Sequence, residues 1–523
     1  MKKWAMIFAT IATLFLFASC GDENYEINEE ILNEIEEIPE PEEVEQPQEI
    51  LRAENIILDL QYAMGTAQTR REGIIKPDYN MLLSMTKGRT PTPRIPQRFW
   101  YGWGGPPESP PEFVTLDDAV ADAWVLFNVL RDVYGGYVFF GGDGVFAATL
   151  GDVTAELFAL GVTEILAVDY ADILRRHLTY NVVDNHFWIG GERMGSEIAY
   201  FHRLGLFYDK TADGFINRAT GLYLLEIEGH DIDTVMHLHT SVDGDLFYRP
   251  IFLISGTWAN TYRTNFIYEG DIISPRTFVR ESEQQSRPAQ MPRFGHAGNV
   301  PIVTVAAMGF DGHENAWGVE HAVTFISFAE QLRYEPVVIV DIRGNIGGNS
   351  LLPVRWLHTL TGEIVPSNFV SLNTQEYDPA LFEFNPNNQF QNPPDTWSYF
   401  RAFEPFGDGY TLSHNEPRRI VQREQTLILL TDRGTLSAAE AFVDMAFNIT
   451  NTLVIGTATA GMLAFDATYS NLFLPNTGIA FGLGRTMMLW PEGHFAEGVG
   501  IQPDIWVDGD AMAAALALIS DLE

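Results

Sequence analysis

Residues 337–348 read VVIVDIRGNIGG, and residues 435–442 read TLSAAEAF. The first stretch decides the fold. Its apolar, β-branched run from Val337 to Ile342 has the length and composition of a buried strand, and Asn345, Gly347 and Gly348 end the run in an abrupt turn. Such a turn presents bare backbone N–H groups. The second stretch places the hydroxyl of Ser437 at the mouth of a predicted helix. There the unsatisfied N–H groups and the positive end of the helix dipole would stabilise an oxyanion forming beside it. A nucleophile and an oxyanion-binding pocket are both encoded, and each motif also has a plainer use. Ser437 and Glu440 form an S-x-x-E capping box, and the glycines suit a tight turn that needs positive φ.

Working outward, VPIVTVAAM (300–308) reads as strand, HAVTFISFAEQLR (321–333) as helix, TLILLTD (426–432) as strand, SAAEAFVDMAFN (437–448) as helix and TLVIGT (452–457) as strand. Alternation of this kind specifies an α/β core with a largely parallel sheet, expected over 299–510, with its site at the carboxyl ends of the strands. Asp341 and Ser437 fall at those ends. An insertion, 366–418, is rich in Asn, Gln, Pro and Phe and too long for a plain connector, so it serves either as a lid or binding loop or as surface decoration. Upstream, LDDAVADAWVLFNVLRDVY follows a Thr-x-x-Asp start and carries apolar residues at three- and four-residue spacing. VTAELFALG and YADILRRHL repeat the pattern, defining an N-terminal helical subdomain over 116–195. Short alternating segments with turn signals, such as LYLLEIEG and RPIFLISGTW, make 196–298 a β-rich middle domain. Residues 56–115 mix Arg, Pro, Gly and aromatics and point to no element.

The chain has 523 residues, of which 46% are hydrophobic, enough for a large core and two to four domains. Its 32 basic and 70 acidic residues give a formal charge of −38. That excludes nucleic acid as a partner, since the basic face it requires is missing. The single cysteine, Cys20, follows Lys2, Lys3 and an apolar run from Trp4 to Phe17 that is too short to span a bilayer. With Ala18 and Ser19 before it, residues 1–20 resemble a bacterial lipoprotein signal peptide whose lipidated residue is Cys20. An ordinary secretory signal with an incidental cysteine would export the protein equally. Either way the expected location is the cell envelope, and with no second cysteine the exported part cannot rely on disulfides. Residues 21–55 form an acidic tether: Asp22 to Glu49 holds thirteen acidic residues and no basic ones, a composition that does not fold alone. Its reach is roughly 30 Å, or ~5–6 Å times the square root of its length. A marginal helix from Glu29 to Ile38 would change that reach but not the role.

Four motifs in order, DIRGNIGG after a strand, LSAAEAF opening a helix, VIGTATAG, and EGVGIQPDI near the end, resemble the serine peptidase family that includes the C-terminal processing proteases and the tricorn core protease. The resemblance runs from about residue 116 to 510. It implies acyl transfer by Ser437, with an oxyanion hole from the N–H of Ala438 and of Gly347 or Gly348, and it implies no cofactor. In the processing proteases a lysine follows the serine by about 25 residues. Here that position is Met462, and the lysines are Lys2, Lys3, Lys76, Lys87 and Lys210.

A serine hydroxyl needs a base at neutral pH. The lysine-free, tricorn-like branch draws a histidine from the end of its helical subdomain, and VVDNHFWIG matches that motif and points to His186. His494, near the terminal motif, is the nearest rival. The branch's glutamate corresponds to Glu497, which otherwise is a solvated turn carboxylate. Asn185 stands where the branch has a serine, and Asp184 is an alternative orienter of the imidazole. His313, Glu314, Glu320 and His321 lack the H-e-x-x-H spacing of a metal site, so no metal is expected.

The function so implied is an exported, lipid-anchored serine peptidase acting on a polypeptide or peptide substrate. The alternative is a binding lipoprotein that keeps the fold without turnover, as retinoid-binding relatives do. LYLLEIEGHDIDTVM faintly resembles the PDZ-like module of the processing proteases but has no GLGF-type carboxylate loop. Cleavage preference and oligomeric state do not follow from the sequence.

Overall fold

The computed structural model describes residues 63–67 and 111–519, apart from 196–197, 256–258, 282–289, 309–316, 375–402, 406–409, 414–419, 467–468 and 491–496. The expected signal peptide with Cys20, the tether, nearly all of 56–110 and most of the 366–418 insertion lie outside the described residues.

Helix α1 (Leu116–Val133) opens where the Thr-x-x-Asp signal falls, with the Thr115 side chain accepting the Asp118 N–H. Ala119, Ala123, Leu126, Leu130 and Val133, three or four apart, form its buried face. Helices α2 (Gly142–Ala159) and α3 (Ala167–Thr179) complete the helical region. Strand β1 (Asp184–Ile189) follows, then a turn at Gly190 and Gly191 with φ of 61° and 88°, and a return strand, Glu192–Met194.

The core begins with β2 (Val300–Thr304) and α4 (Trp317–Leu332), continues through β3 (Val337–Asp341), α5 (Leu351–Thr361), β4 (Thr426–Thr431), α6 (Ala438–Ala446) and β5 (Thr452–Gly456), and closes with β6 (Ile505–Val507) and α7 (Ala511–Ile519). Strands β2 to β6 lie side by side in chain order and all pair in parallel, as in Ile302 with Ile339, Val340 with Leu429, and Leu430 with Ile455. Every residue of β3, β4 and β5 is buried. This is why they read as unbroken apolar runs: helices cover both faces of a parallel sheet.

The β-rich region is not a separate layer. Its strand Met236–Thr240 pairs in parallel with β6, Trp506 opposite His239, and the antiparallel strands beyond it continue one fifteen-stranded sheet. At the other end Arg293–Ala297 pairs antiparallel with β2. The three-residue β6 would otherwise leave an unpaired edge, and this neighbour covers it. The architecture is thus α/β, with a parallel core, a helical region and a β-rich region. Among the described residues no helix is long and apolar enough to cross a membrane.

The helical region does not close its own core. Phe465, Leu472, Leu474, Phe481, Leu483 and Met487 pack among the buried residues of α1, α2 and α3, and β1 pairs with Ala480–Leu483. Asp122, fully buried on α1, accepts the N–H of Asn476 at 3.1 Å and of Thr477 at 2.7 Å. Burial pushes its carboxyl upward, against the pull of those donors. The segment after β5 therefore carries the helical region, and β1 with it, to the catalytic edge of the core.

Candidate active site

The loops after β3 and β4 are laced together by buried polar groups. Asp432 Oδ1 accepts the N–H of Gly344 at 2.7 Å and of Gly434 at 2.8 Å, and Thr435 Oγ1 donates to the Ile342 carbonyl at 2.9 Å. The Leu436 N–H reaches the carbonyl of Asn345 at 3.0 Å. Asn345 is fully buried. Its Nδ2 donates to the Val305 carbonyl at 2.9 Å and its Oδ1 accepts the Gly347 N–H at 3.0 Å.

This lacing holds Ser437 in a strained backbone, φ 55° and ψ −120°, a region that a residue with a Cβ seldom enters. The Ser437 N–H donates to Glu440 Oε2 at 2.9 Å, and its carbonyl accepts the N–H of Glu440 at 2.8 Å and of Ala441 at 3.0 Å. Ser437 and Glu440 thus sit in the reciprocal arrangement of a capping box. The hydroxyl itself makes no cap bond, because the carbonyl has taken the amide it would have served. It is left free for chemistry.

Gly347 and Gly348 have φ of 79° and 137°. A Cβ on Gly347 would lie 2.7 Å from the Ser437 Cβ and 2.6 Å from the Leu436 carbonyl oxygen, so a bare backbone is required against the serine. Its own N–H is already spent on Asn345. Gly348 is exposed, and neither its N–H nor that of Ala438, at the first turn of α6, bonds to any described residue. Of the three candidate donors, Ala438 and Gly348 are thus available to an oxyanion, while Gly347 supplies the frame.

His186 stands on a bulge. Asp184 pairs with Met194 and Trp188 with Arg193, so three residues of β1, 185–187, face no partner of their own. Asp184, fully buried, takes up the amides this releases: its Oδ1 accepts the N–H of His186 at 2.7 Å and of Phe187 at 3.1 Å, and its Oδ2 accepts Tyr134 Oη–H at 2.9 Å. Glu497 grips the same bulge, accepting the N–H of Asn185 at 2.9 Å through Oε1 and of Ala464 at 3.0 Å through Oε2. A ring nitrogen of His186 and an oxygen of each carboxylate all lie within 4.8 Å of one another, and the imidazole Nδ1 is buried without a hydrogen-bond partner.

Burial, with the charge of Arg193 second, holds the His186 imidazole down at about 4. Burial raises the Asp184 carboxyl to about 7, with the charge of Asp466 adding to it, and raises Glu497 well above the usual range, with the charge of Asp184 second. The pair holds a proton where isolated carboxylates would not.

Glu440 ties these parts to one another. Besides the Ser437 amide it accepts Thr459 Oγ1–H at 2.6 Å, the Gly461 N–H at 2.8 Å and the Met462 N–H at 2.8 Å. The Gly461 carbonyl in turn accepts Asn185 Nδ2–H at 2.9 Å, one residue before His186. Arg433 braces the turn that carries Glu497, donating to the carbonyls of Val499 at 2.9 Å and Gly498 at 3.2 Å. Asn345 is legible in the sequence only as a turn residue and Thr459 only as part of VIGTATAG, and Arg433 carries no sequence signal beyond being a polar residue in a loop beside a buried strand.

Met462 is in the turn where the processing proteases carry their lysine. Lys210, the one lysine among the described residues, pairs with Asp233 at 3.5 Å in the β-rich region. His313, Glu314 and His494 lie outside the described residues, and His321 is buried, which pushes its imidazole down. Asp184, His186 and Glu497 are the one group of three such residues with converging ligand atoms among the described residues. Backbone N–H groups already occupy both oxygens of Glu497 and one of Asp184, and Tyr134 the other, so the cluster suits an imidazole and its partners better than a cation.

Residues 317–507 match the family model described as Peptidase family S41. The match includes the glycine loop, Ser437 and Glu497 and stops short of His186. The class that this core defines is a serine-type peptidase. The chain is similar in structure to mature CPAF, at 16% identity and a TM-score of 0.41 over 78% of this chain and 95% of that one. It is similar to the photosystem II D1 C-terminal processing protease at 13% identity and 0.35 over 75% and 93%. To the tricorn protease the figures are 13% and 0.31 over 78% of this chain and 37% of that one. No curated protein matches the sequence.

Because a methyl group on Gly347 must push Ser437 aside, Gly347→Ala is expected to lower kcat/KM for peptide hydrolysis about 100-fold. The φ of 79° and the backbone clash should also lower the thermal transition, so circular dichroism checks that the variant is folded at the assay temperature. A variant with parental turnover would show that this contact does not set the serine's position.

Proposed function

We propose that this chain is an exported, lipid-anchored serine peptidase in which Ser437 is the nucleophile, His186 the general base and Glu497 the carboxyl that orients the imidazole. The observation that carries the reading is the strained Ser437 backbone held against Gly347 beside two unspent N–H groups. Strain of this kind is retained where a surrounding network over-determines it for function. Ser437 Oγ attacks the scissile carbonyl carbon while the neutral ring of His186 takes the hydroxyl proton. The N–H groups of Ala438 and Gly348, framed by Gly347, receive the resulting oxyanion. Collapse breaks the C–N bond, the ring returns its proton to the leaving amine, and an acyl-enzyme remains. Water then attacks the ester while His186 takes its proton, collapse breaks the bond between the acyl carbon and Ser437 Oγ, the ring returns the proton to that oxygen, and the acid product leaves. Asp184 and Glu497 act as positioning residues by holding the bulge that carries the ring.

A fluorophosphonate probe tests the reading. Wild-type protein is expected to be labelled, Ser437→Ala not at all, and His186→Ala about 100-fold more slowly, with folding of both variants checked by thermal melting. Absence of labelling from pH 6 to 9 would favour a binding protein on this fold.

The pH profile follows from the ring's surroundings. A general base works in its neutral form, and a pKa held down at about 4 keeps His186 neutral through the range in which an exposed histidine takes up a proton. The labelling rate should therefore show no loss of base centred near 6.5 as pH falls from 8 to 5. A midpoint near 6.5 would mean that the ring titrates as if solvated.

Anchoring rests on Cys20 and the run before it. Expressed in a bacterium with labelled fatty acid, the protein is expected to incorporate the lipid and sediment with membranes, and Cys20→Ser to do neither. A variant that still carries lipid would remove the anchor from the proposal.

A further inference from the structure

One cation stands beside this constellation without a role in it. Arg193 lies on the return strand of the hairpin that carries His186, opposite Trp188, and is exposed. Its Nη1 donates to Met462 Sδ at 3.1 Å, a neutral acceptor, and no described carboxylate lies within ion-pair distance of the guanidinium. Yet the chain holds 70 acidic residues against 32 basic ones. Asp184 and Glu497, the carboxylates beside His186, have spent their oxygens on backbone N–H groups and Tyr134.

The link from Arg193 to the nucleophile is short. The Met462 N–H and the Ser437 N–H both donate to Glu440 Oε2, at 2.8 and 2.9 Å. The side chain that Arg193 touches thus springs from a backbone that shares one oxygen with the serine. The guanidinium is also close enough to His186 for its charge to act on the ring. An exposed guanidinium with no described carboxylate against it presents a fork of N–H donors that matches the geometry of a carboxylate, which such a fork grips with two parallel bonds.

We propose that Arg193 forms a carboxylate-binding subsite beside Ser437, so that the enzyme prefers substrates with a carboxylate, side-chain or terminal, within one or two residues of the bond it cuts. A peptide advances about 3.4 Å per residue when extended, so such a carboxylate lies about 3 to 7 Å along the chain from the cut bond. The inference rests on the peptidase reading above and names the substrate class of that site. Met462 contributes by turning a neutral sulfur to the guanidinium, leaving its charge for the ligand.

The test uses amidated peptides that differ only by Glu or Gln at the positions flanking the cleaved bond, and a matched pair with free or amidated C-terminus two residues from it. For wild-type protein at low salt the ratio of kcat/KM, carboxylate over carboxamide, is expected to be about tenfold or more, and to shrink as salt screens the charge. The Glu/Gln and free/amidated pairs tell which carboxylate is read. Arg193→Gln should bring the ratio to about one, and Arg193→Glu below one. A wild-type ratio of one, or a preference that survives Arg193→Gln, overturns the subsite. Fluorescence anisotropy of the same peptides on Ser437→Ala protein separates the two readings. Carboxylate-dependent binding that is lost when Arg193→Gln is added, with no peptide cut by wild type, upholds the subsite and overturns the peptidase chemistry. Peptides cut or bound without regard to charge overturn the subsite alone.

Discussion

A single carboxylate without a counter-ion organises the site. Glu440 is fully buried, and four donors converge on it from the serine, from Thr459 and from the Gly461–Met462 turn. Taking a carboxylate out of water is costly unless its lone pairs are met, and here they are met only when both loops are in place. Burial raises its pKa while each donor lowers it, so the group is poised between the two costs. Whatever holds Ser437 in its strained conformation therefore also fixes the turn to which Asn185, and through it the His186 bulge, is bound.

The same economy recurs at Asp184 and Asp122. Each is a buried acid whose acceptors are filled by amides that ordinary secondary structure has left over, from a bulge in one case and a loop in the other. In a chain so rich in acid and poor in base, backbone N–H groups do the neutralising that arginine and lysine do elsewhere. The cost appears as burial and crowding of acids, since the charge of Asp184 raises the pKa of Glu497 and that of Asp466 raises the pKa of Asp184.

How much of this was legible in the sequence divides by distance along the chain. The buried strands, the glycine turn and the helix at Ser437 follow from local pattern, because an apolar run ended by Gly-Gly or opened by S-x-x-E has few other solutions. The parallel order of the core follows from alternation. What local pattern could not show is which glycine keeps a free N–H, since that depends on where the buried Asn345 amide points. It could not show the bulge at 185–187 either, because the run DNHFWI looks like any short strand. The continuity of the sheet through Trp506 and His239 and the seat of the helical region on 465–489 join residues hundreds of positions apart, and no period or composition announces them.

That last arrangement has a bearing on how the molecule comes to life. Asn185 and Glu497 are 312 positions apart, and β1, paired locally with Glu192–Met194, finds its second neighbour only in residues 480–483. Contacts of such span form late, after the loops between them have been closed, and a chain threaded from its amino end delivers the needed partners last. During synthesis the ring of His186 and the hydroxyl of Ser437 therefore belong to unjoined pieces until the strand at 480–483 and Glu497 have been made.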